Sequence, residues 1–494
     1  MAHRTRTLAD LGLSAQGGRD ARITGISVDS RETRDGHLFA ALPGTRSHGA
    51  TFVQAAVQMG AAAILTDREG LAIARPALDR TNVAVVVTEN PRQALAYAAA
   101  LWFGTQPETM VAVTGTNGKT SVASFTRQIW MALGHRAINL GTTGVEGAWE
   151  TPLRHTTPEP VTLHRVLCEA AAEGITHAAM EASSHGLDQH RLDGVTLRAA
   201  GFTNFTQDHL DYHANFEEYF AAKAGLFDRV LPEDGTAVIN VEDPKGDAMR
   251  AIAGARGQDI LTVGRRPDAA LRVIAQRFDP TGQHLRFAWS AEPRQVRLGL
   301  IGGFQAENVL LAAGLAIASG CEPRDVFEVL PQLTTVRGRM QLAATRESGA
   351  AVFVDYAHTP AALETALQAL RPHAMGRLVV VYGAGGDRDR GKRPLMGAAA
   401  RDHADLRIVT DDNPRSEEPA AIRAEILAAD SEAIEIGDRA EAILRAVDML
   451  EEGDALLIAG KGHETGQIVG ETIYPFDDAE QASVAVAALD GRVA

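Results

Sequence analysis

Met110-Val-Ala-Val-Thr-Gly-Thr-Asn-Gly-Lys-Thr-Ser121 is the stretch that decides the fold. Its first four residues are apolar and include two valines, which predicts a buried strand. Gly115 and Gly118 then permit a tight turn with the backbone close to a ligand. From Lys119 onward, Val122, Phe125, Ile129 and Leu133 recur at helical spacing. Strand, glycine turn and helix together form a phosphate cradle. The backbone of Gly115, Thr116, Asn117 and Gly118 and the positive helix end face an anion. Lys119 reaches its terminal phosphates, and Thr120, next to Ser121, can hold Mg²⁺. The spacing is G-x-x-G-K-T, shorter than the common G-x-x-x-x-G-K-[ST]; a glycine-rich turn before an ordinary helix is the alternative.

Outward from this stretch, 494 residues exceed what one core organises, so several domains are expected. Residues 1–105 read as a small α/β unit, with strands at Ile23 to Val28, Leu38 to Leu42, Ala61 to Thr66 and Val83 to Val87. Asp29-Ser30-Arg31 reads as a polar turn, Phe52 to Met59 as helical, and a helix from Pro91 leads to a linker at Gly104-Thr-Gln-Pro107. Residues 106–333 alternate strands and helices, which argues for a mainly parallel sheet with ligands beyond the strands' carboxyl ends. Residues 334–494 repeat that pattern around Val352 to Tyr356, Leu378 to Tyr382, Leu406 to Thr410 and Ala455 to Ala459, giving a Rossmann-like third domain.

The formal net charge of −15 excludes a general nucleic-acid or acidic-membrane binder. No apolar run approaches the roughly 18–20 residues of a membrane span, and no apolar signal core follows Met-Ala-His-Arg, so the chain is expected in the cytoplasm. Cys168 and Cys321 form no motif and are expected free. Positive charge is local: Arg388, Arg390, Lys392 and Arg393 crowd one glycine-rich segment and point to an anion site, or to a solvated charge run.

Four further clusters follow apolar strands. In Met180-Glu-Ala-Ser-Ser-His-Gly186, Glu181 is a hard oxygen ligand suited to Mg²⁺, and Ser183 offers a donor and an acceptor, or simply caps a helix. Gln189, His190 and Arg191 are ligand-facing residue types. In Thr203-Asn-Phe-Thr-Gln-Asp-His-Leu-Asp-Tyr-His213, His209 could bind metal with Asp208 orienting it. Asn215 and Glu218 have capping-box spacing for a helix carrying Lys223 between Phe220 and Phe227. A partly buried lysine there can lose its proton and take up CO₂ as a carbamate, an added anionic metal ligand, although exposed helical lysines are commoner. Asp355-Tyr-Ala-His-Thr-Pro360, Gly383 to Pro394, Asp411 to Pro419 and Gly460-Lys-Gly-His-Glu464 offer carboxylate binders (Arg388, Arg415) and ammonium binders (Asp412, Glu464), a set suited to a zwitterionic amino acid.

Taken together, Thr-Gly-Thr-Asn-Gly-Lys-Thr, Glu-Ala-Ser-Ser-His-Gly, Asp-His-Leu-Asp-Tyr-His and Asp-Tyr-Ala-His-Thr-Pro resemble the Mur ligases of peptidoglycan synthesis. Asp-Asn-Pro-Arg and Gly-Lys-Gly-His-Glu are similar to the branch that adds meso-diaminopimelate. The resemblance implies an ATP-dependent amide synthesis through an acyl phosphate, with UDP-N-acetylmuramoyl-L-alanyl-D-glutamate and meso-2,6-diaminopimelate as partners and a monomer as the working form. It implies a Mg²⁺ shell of Thr120, Glu181, His209 and a carbamylated Lys223. It adds Asn308, Arg339, Asp355 and His358 to the ATP contacts. Ser30, Asn117, Thr156, Thr157, Ser183, Gln189 and Arg191 would contact the nucleotide-sugar peptide. Arg388, Asp412, Asn413, Pro414, Arg415, Gly460 and Glu464 would select the acceptor. Ala384 and Thr465-Gly466 depart from the residues usual in that family. Lysine addition with the same fold, or a phosphate-loop NTPase uncoupled from any amino acid, are the competing readings.

Overall fold

The computed structural model describes residues 5–44, 47–79, 81–206, 212–213 and 215–491. His209 and Asp208 therefore lie outside the described residues. The chain divides into two compact units, Met1–Ala270 with Leu310–Phe327, and Leu271–Val309 with Glu328–Ala494.

In the first unit, Gly25–Ser27, His37–Ala40, Ala63–Thr66 and Ala84–Val87 pair in that order as a parallel sheet. The strand expected at Ile23 to Val28 is two pieces, because Arg22–Ile23 pairs separately with Arg6–Thr7. A helix at Arg68–Leu78 was not expected, since Gly70 and Pro76 lie inside it. The same unit holds a larger sheet whose strands run Gly144–Gly147, Ala137–Gly141, His177–Glu181, Thr109–Thr114, Ala199–Phe202, Thr236–Asn240 and Asp259–Gly264. All these pairs are parallel except the one made by the edge strand Gly144–Gly147. Both faces of the central strand are covered, so Met110 through Thr114 are all buried, as the continuous apolar run requires. Thr109–Thr114 pairs with His177–Glu181 on one side and Ala199–Phe202 on the other. The chain order reverses at this point, which is where sheets of this kind bind ligands, beyond the strands' carboxyl ends.

The second unit contains an antiparallel meander, Leu271–Asp279, Gly282–Trp289 and Glu292–Leu298. It also contains a six-stranded sheet in the order Gln341–Thr345, Ala351–Asp355, Ala455–Ala459, Leu378–Tyr382, Leu406–Val409 and Ile434–Glu435. Only the first of these runs antiparallel to its neighbour. The two-residue period of a strand sends Ala351, Phe353, Leu378 and Val380 into one core and Val352, Val354, Val379 and Val381 into the other. Among the described residues no helix is long and apolar enough to cross a membrane. Cys168 and Cys321 are free and half-buried.

Candidate active site

The phosphate-cradle sequence folds as a strand (Thr109–Thr114), a turn and a helix (Lys119–Ala132). Gly115 has φ +149°, and a side chain there would run into Thr203 Oγ1 and the Asn204 backbone, so the turn admits only glycine. Gly118, at φ +85°, precedes the helix and caps it with no side chain. The first-turn N–H groups of Lys119, Thr120 and Ser121 thus keep their positive end facing the loop. Lys119 Nζ folds back to donate to Gly115 O (2.9 Å) and Thr116 O (2.8 Å). Asn204 Oδ1 accepts from Asn117 N at 2.9 Å, which fixes the loop against the next strand end.

Lys223 is fully buried on the helix Phe216–Gly225, deeper than expected, with Nζ 4.5 Å from the Tyr219 ring centre. Its ammonium donates to Gly115 O at 2.7 Å, the same carbonyl that Lys119 uses. Two cations on one acceptor repel each other. Conversion of Lys223 to a carbamate would turn that repulsion into attraction. Of the expected capping box, Asn215 does accept from Glu218 N (2.8 Å), but Glu218 Oε1 accepts from the Asn215 side-chain amide instead of its backbone.

Glu181, buried at the end of His177–Glu181, accepts from Thr120 Oγ1 at 2.9 Å and from Thr142 N at 2.8 Å. A hydroxyl and a carboxylate in contact beside a phosphate loop are hard oxygen donors. They fit Mg²⁺, which keeps most of its coordination for water and substrate phosphates. Thr142 had no signal of its own in the sequence; its role comes from the neighbouring strand end.

A connected set runs on from Glu181. Its carbonyl accepts from Thr157 Oγ1 (2.9 Å), and Thr157 Oγ1 accepts from Ser183 N (3.1 Å) and lies 3.0 Å from Ser183 Oγ. Ser183 also caps the helix Ser184–Asp188 by accepting from Gly186 N. Arg191 Nη1 donates to Thr157 O (2.6 Å) and Nη2 to Gln189 Oε1 (2.8 Å), while Gln189 Nε2 donates to Tyr212 Oη (3.0 Å). Thr156 Oγ1 meets Thr142 Oγ1 at 3.0 Å. Thr120, Thr156, Thr157, Glu181, Ser183, Gln189 and Arg191 are therefore one hydrogen-bonded neighbourhood. Ser30 is not part of it: it opens a short turn capped by Asp29, and among the described residues no hydrogen bond joins it to this group.

In the second unit, Asn308 is buried and donates to Gln305 Oε1 at 3.0 Å. Asp355 accepts from Met340 N at 2.7 Å, and burial, opposed by the Arg339 charge, pushes its carboxyl up to about 6. Arg339 lies 5.0 Å over the Tyr356 ring, which also meets the rings of His358 and His463. Lys392 donates to His358 O (2.9 Å). Burial, then the Glu464 charge, hold the Tyr356 phenol above its ordinary range. Tyr356 thus joins the candidate nucleotide residues to the candidate acceptor residues within this unit. Sequence reasoning gave it no role.

The acceptor set gathers at the ends of three parallel strands. Asp412 and Asn413 are buried after Leu406–Val409, and Pro414 is buried beside them. Asn413 Nδ2 donates to Glu464 Oε2 (2.8 Å), and its Oδ1 accepts from Lys461 Nζ (3.0 Å) and Ile468 N (2.9 Å). Asn413 is thus engaged within the protein and sets Glu464 in place. Lys461, fully buried, also had no assigned role; burial pulls its ammonium below the ordinary lysine range, against the pull of Asp412. Among the described residues the Asp412 carboxylate accepts no hydrogen bond. A side chain at Gly460 (φ +123°) would collide with that carboxylate, so glycine leaves it room. Arg415 adopts φ +52° and donates to Gly386 O (2.9 Å) and Asn413 O (3.4 Å), and no ion pair engages it among the described residues.

The expected anion segment needs correction. The helix Lys392–His403 begins inside it. Arg393 is buried between Glu417 (2.8 Å) and Glu425 (2.9 Å), and Arg390 pairs with Glu425. These two arginines are neutralised internally, which leaves Arg388, exposed and donating to Asp387 O, and Lys392, donating to His358 O, as cations for a ligand.

Residues 22–102 match the Mur ligase family catalytic domain, 113–316 the Mur ligase middle domain and 338–462 the Mur ligase glutamate ligase domain. The UDP-N-acetylmuramoyl-L-alanyl-D-glutamate–2,6-diaminopimelate ligase of Bradyrhizobium diazoefficiens is 52% identical over 96% of this chain and 96% of its own length. The protein of that name from Brucella melitensis is 50% identical over 95% of each. A solved structure of a UDP-N-acetylmuramoyl-L-alanyl-D-glutamate–2,6-diaminopimelate ligase superposes with TM-score 0.75 at 33% identity, covering 98% of this chain and 99% of the other. The chain belongs to the Mur ligase family.

Proposed function

We propose that this chain is an ATP-dependent ligase that joins meso-2,6-diaminopimelate to the D-glutamate carboxylate of UDP-N-acetylmuramoyl-L-alanyl-D-glutamate. It would act as a cytoplasmic monomer on small molecules, with segments 1–105, 106–333 and 334–494 serving the nucleotide sugar, ATP and the amino acid. The observation that carries the acceptor is Arg415, a guanidinium without a carboxylate partner among the described residues, which donates to the backbone of Asn413, the residue that follows Asp412 and holds Glu464. That combination accepts a carboxylate and an ammonium together, as an amino acid requires.

The chemistry follows from the residues. The turn N–H groups and Lys119 bind the ATP phosphates, and Asn308, Arg339, Asp355 and His358 contact the nucleotide. Thr157, Ser183, Gln189 and Arg191 orient the peptidyl carboxylate, with Asn117, Thr156 and Ser30 along the rest of that substrate. A carboxylate oxygen takes the γ-phosphoryl group, ADP departs, and the acyl phosphate now carries a leaving group. The acceptor's amine attacks the acyl carbon, loses a proton, and phosphate leaves as the amide forms. Thr120, Glu181, carbamylated Lys223 and His209 would hold Mg²⁺, which when bound offsets the phosphate charge. Mass spectrometry tests the reading: ATP, Mg²⁺, the nucleotide dipeptide and meso-diaminopimelate should give the nucleotide tripeptide with ADP and phosphate. Lack of that product with all substrates present would overturn it.

A further inference from the structure

His190 lies between Gln189 and Arg191, yet its ring bonds to neither. Its Nε2 is 2.8 Å from Asn90 Nδ2, and its Nδ1 is 2.8 Å from Asp193 Oδ2. The Asp193 side chain is fully buried and also accepts from Gln93 Nε2 (2.9 Å) and Arg229 Nε (2.9 Å). Arg229 in turn donates to Leu187 O at 2.7 Å. Asn90 and Asp193 meet the imidazole itself, and Gln93 and Arg229 reach it through Asp193.

The tautomer follows from the bonding. Asn90 caps the helix Pro91–Phe103, with Oδ1 accepting from Gln93 N at 3.1 Å. Its Nδ2 therefore faces His190, and an amide nitrogen only donates. Nε2 must accept, so the ring proton sits on Nδ1 and is donated to Asp193. These two hydrogen bonds hold the ring in one orientation.

The backbone supplies the second observation. His190 has φ +55°, a left-handed conformation unusual for a residue with a side chain. The turn sits where the helix Ser184–Asp188 ends, with Gln189 N bonded to His185 O and Arg191 N to Gly186 O. Its effect is to bring Gln189 and Arg191 together: their side chains bond each other, and reach Tyr212 and Thr157.

We infer that His190 is a positioning residue for the nucleotide-sugar peptide. Its ring, locked between Asn90 and Asp193, holds the left-handed turn that aims Gln189 and Arg191, and ties that aim to the start of the helix Pro91–Phe103. The inference rests on the reading of Gln189 and Arg191 as ligand contacts.

Four variants of the full chain test it. His190→Ala should raise KM for the nucleotide dipeptide at least about tenfold and leave KM for ATP within about twofold. His190→Asn tolerates the left-handed turn but lacks the ring's reach, and should behave like His190→Ala. Asn90→Asp keeps the helix cap but offers Nε2 an acceptor, so it should add a proton to Nε2. In ¹⁵N spectra of the wild type, His190 should show a protonated Nδ1 and a bare Nε2. A proton on Nε2 in the wild type, or an unchanged dipeptide KM in His190→Ala or His190→Asn, overturns the inference. A fall in kcat and thermal stability with every KM moving together is a structural role, and overturns it equally. Arg191→Ala separates the two levels: if it leaves the dipeptide KM unchanged, the ligand-contact reading fails. If Arg191→Ala raises that KM and the His190 variants do not, the positioning inference alone fails.

Discussion

Removing the guanidinium of Arg415 should erase the preference for diaminopimelate over lysine. The two acceptors differ by one carboxylate, and Arg415 is half-buried with, among the described residues, only carbonyl partners, Gly386 O and Asn413 O. A charge-assisted, bidentate pair to the extra carboxylate contributes about 1.5–3 kcal/mol. Arg415→Ala should therefore lower kcat/KM for meso-diaminopimelate by roughly 10- to 150-fold, with little change for L-lysine. Two controls separate side chain from backbone. Arg415→Lys keeps the charge but loses the fork, so it should recover only part of the preference. Arg415→Gly relaxes the left-handed φ of +52°, so it should match or exceed the stability of Arg415→Ala while being as poor in selectivity. The assay is ATP-coupled ligation with each amino acid over a range of concentrations. An unchanged diaminopimelate-to-lysine ratio in Arg415→Ala would refute the assignment of this residue.

Lys223→Ala should abolish turnover, and short carboxylic acids should restore part of it by replacing the carbamate's oxygens; full activity without such rescue would remove the carbamate from the account. Asp478→Ala should strand Arg439, because both side chains are fully buried and bonded through two 2.7 Å contacts. The expected loss is about 3–5 kcal/mol, read as a lower urea midpoint; an unchanged midpoint would show that the pair is dispensable. Asp355 gives a pH signature. Its folded carboxyl is raised to about 6 from the ordinary 3.8, so the folded form holds the proton more tightly. Its contribution to stability should fall as pH rises from about 4 to about 6. Asp355→Asn should remove that slope, and a slope equal to wild type would place it elsewhere.

What could be read in the sequence was local. The strand, turn and helix around Gly115 are written in adjacent residues, and so is the alternation of strands and helices that gives parallel sheets. Glu181 follows as a strand-end residue and Thr120 as part of the first turn of the helix after the glycine loop, whereas Thr157 came only through the family resemblance. What was not legible depends on distant partners. Arg393 looked like an anion ligand because its cationic neighbours are adjacent, whereas Glu417 and Glu425, which neutralise it, are 24 and 32 residues away. His190 looked ligand-facing because it sits between ligand-facing types, whereas Asn90 is 100 residues distant. Lys461 lies inside a motif the sequence singled out, but its burial against Asn413 appears only when two strand ends meet. Asn413 was read only as an acceptor contact, whereas it also bonds Glu464, Lys461 and Ile468 within the protein.

The most direct test of the account is phosphate release from ATP and Mg²⁺ with UDP-N-acetylmuramoyl-L-alanyl-D-glutamate, compared across meso-diaminopimelate, L-lysine and no amino acid. The account predicts release with diaminopimelate and little with the other two. Equal release in all three would contradict it, because ATP turnover would then be uncoupled from the amino acid that Arg415, Asp412 and Glu464 are proposed to hold.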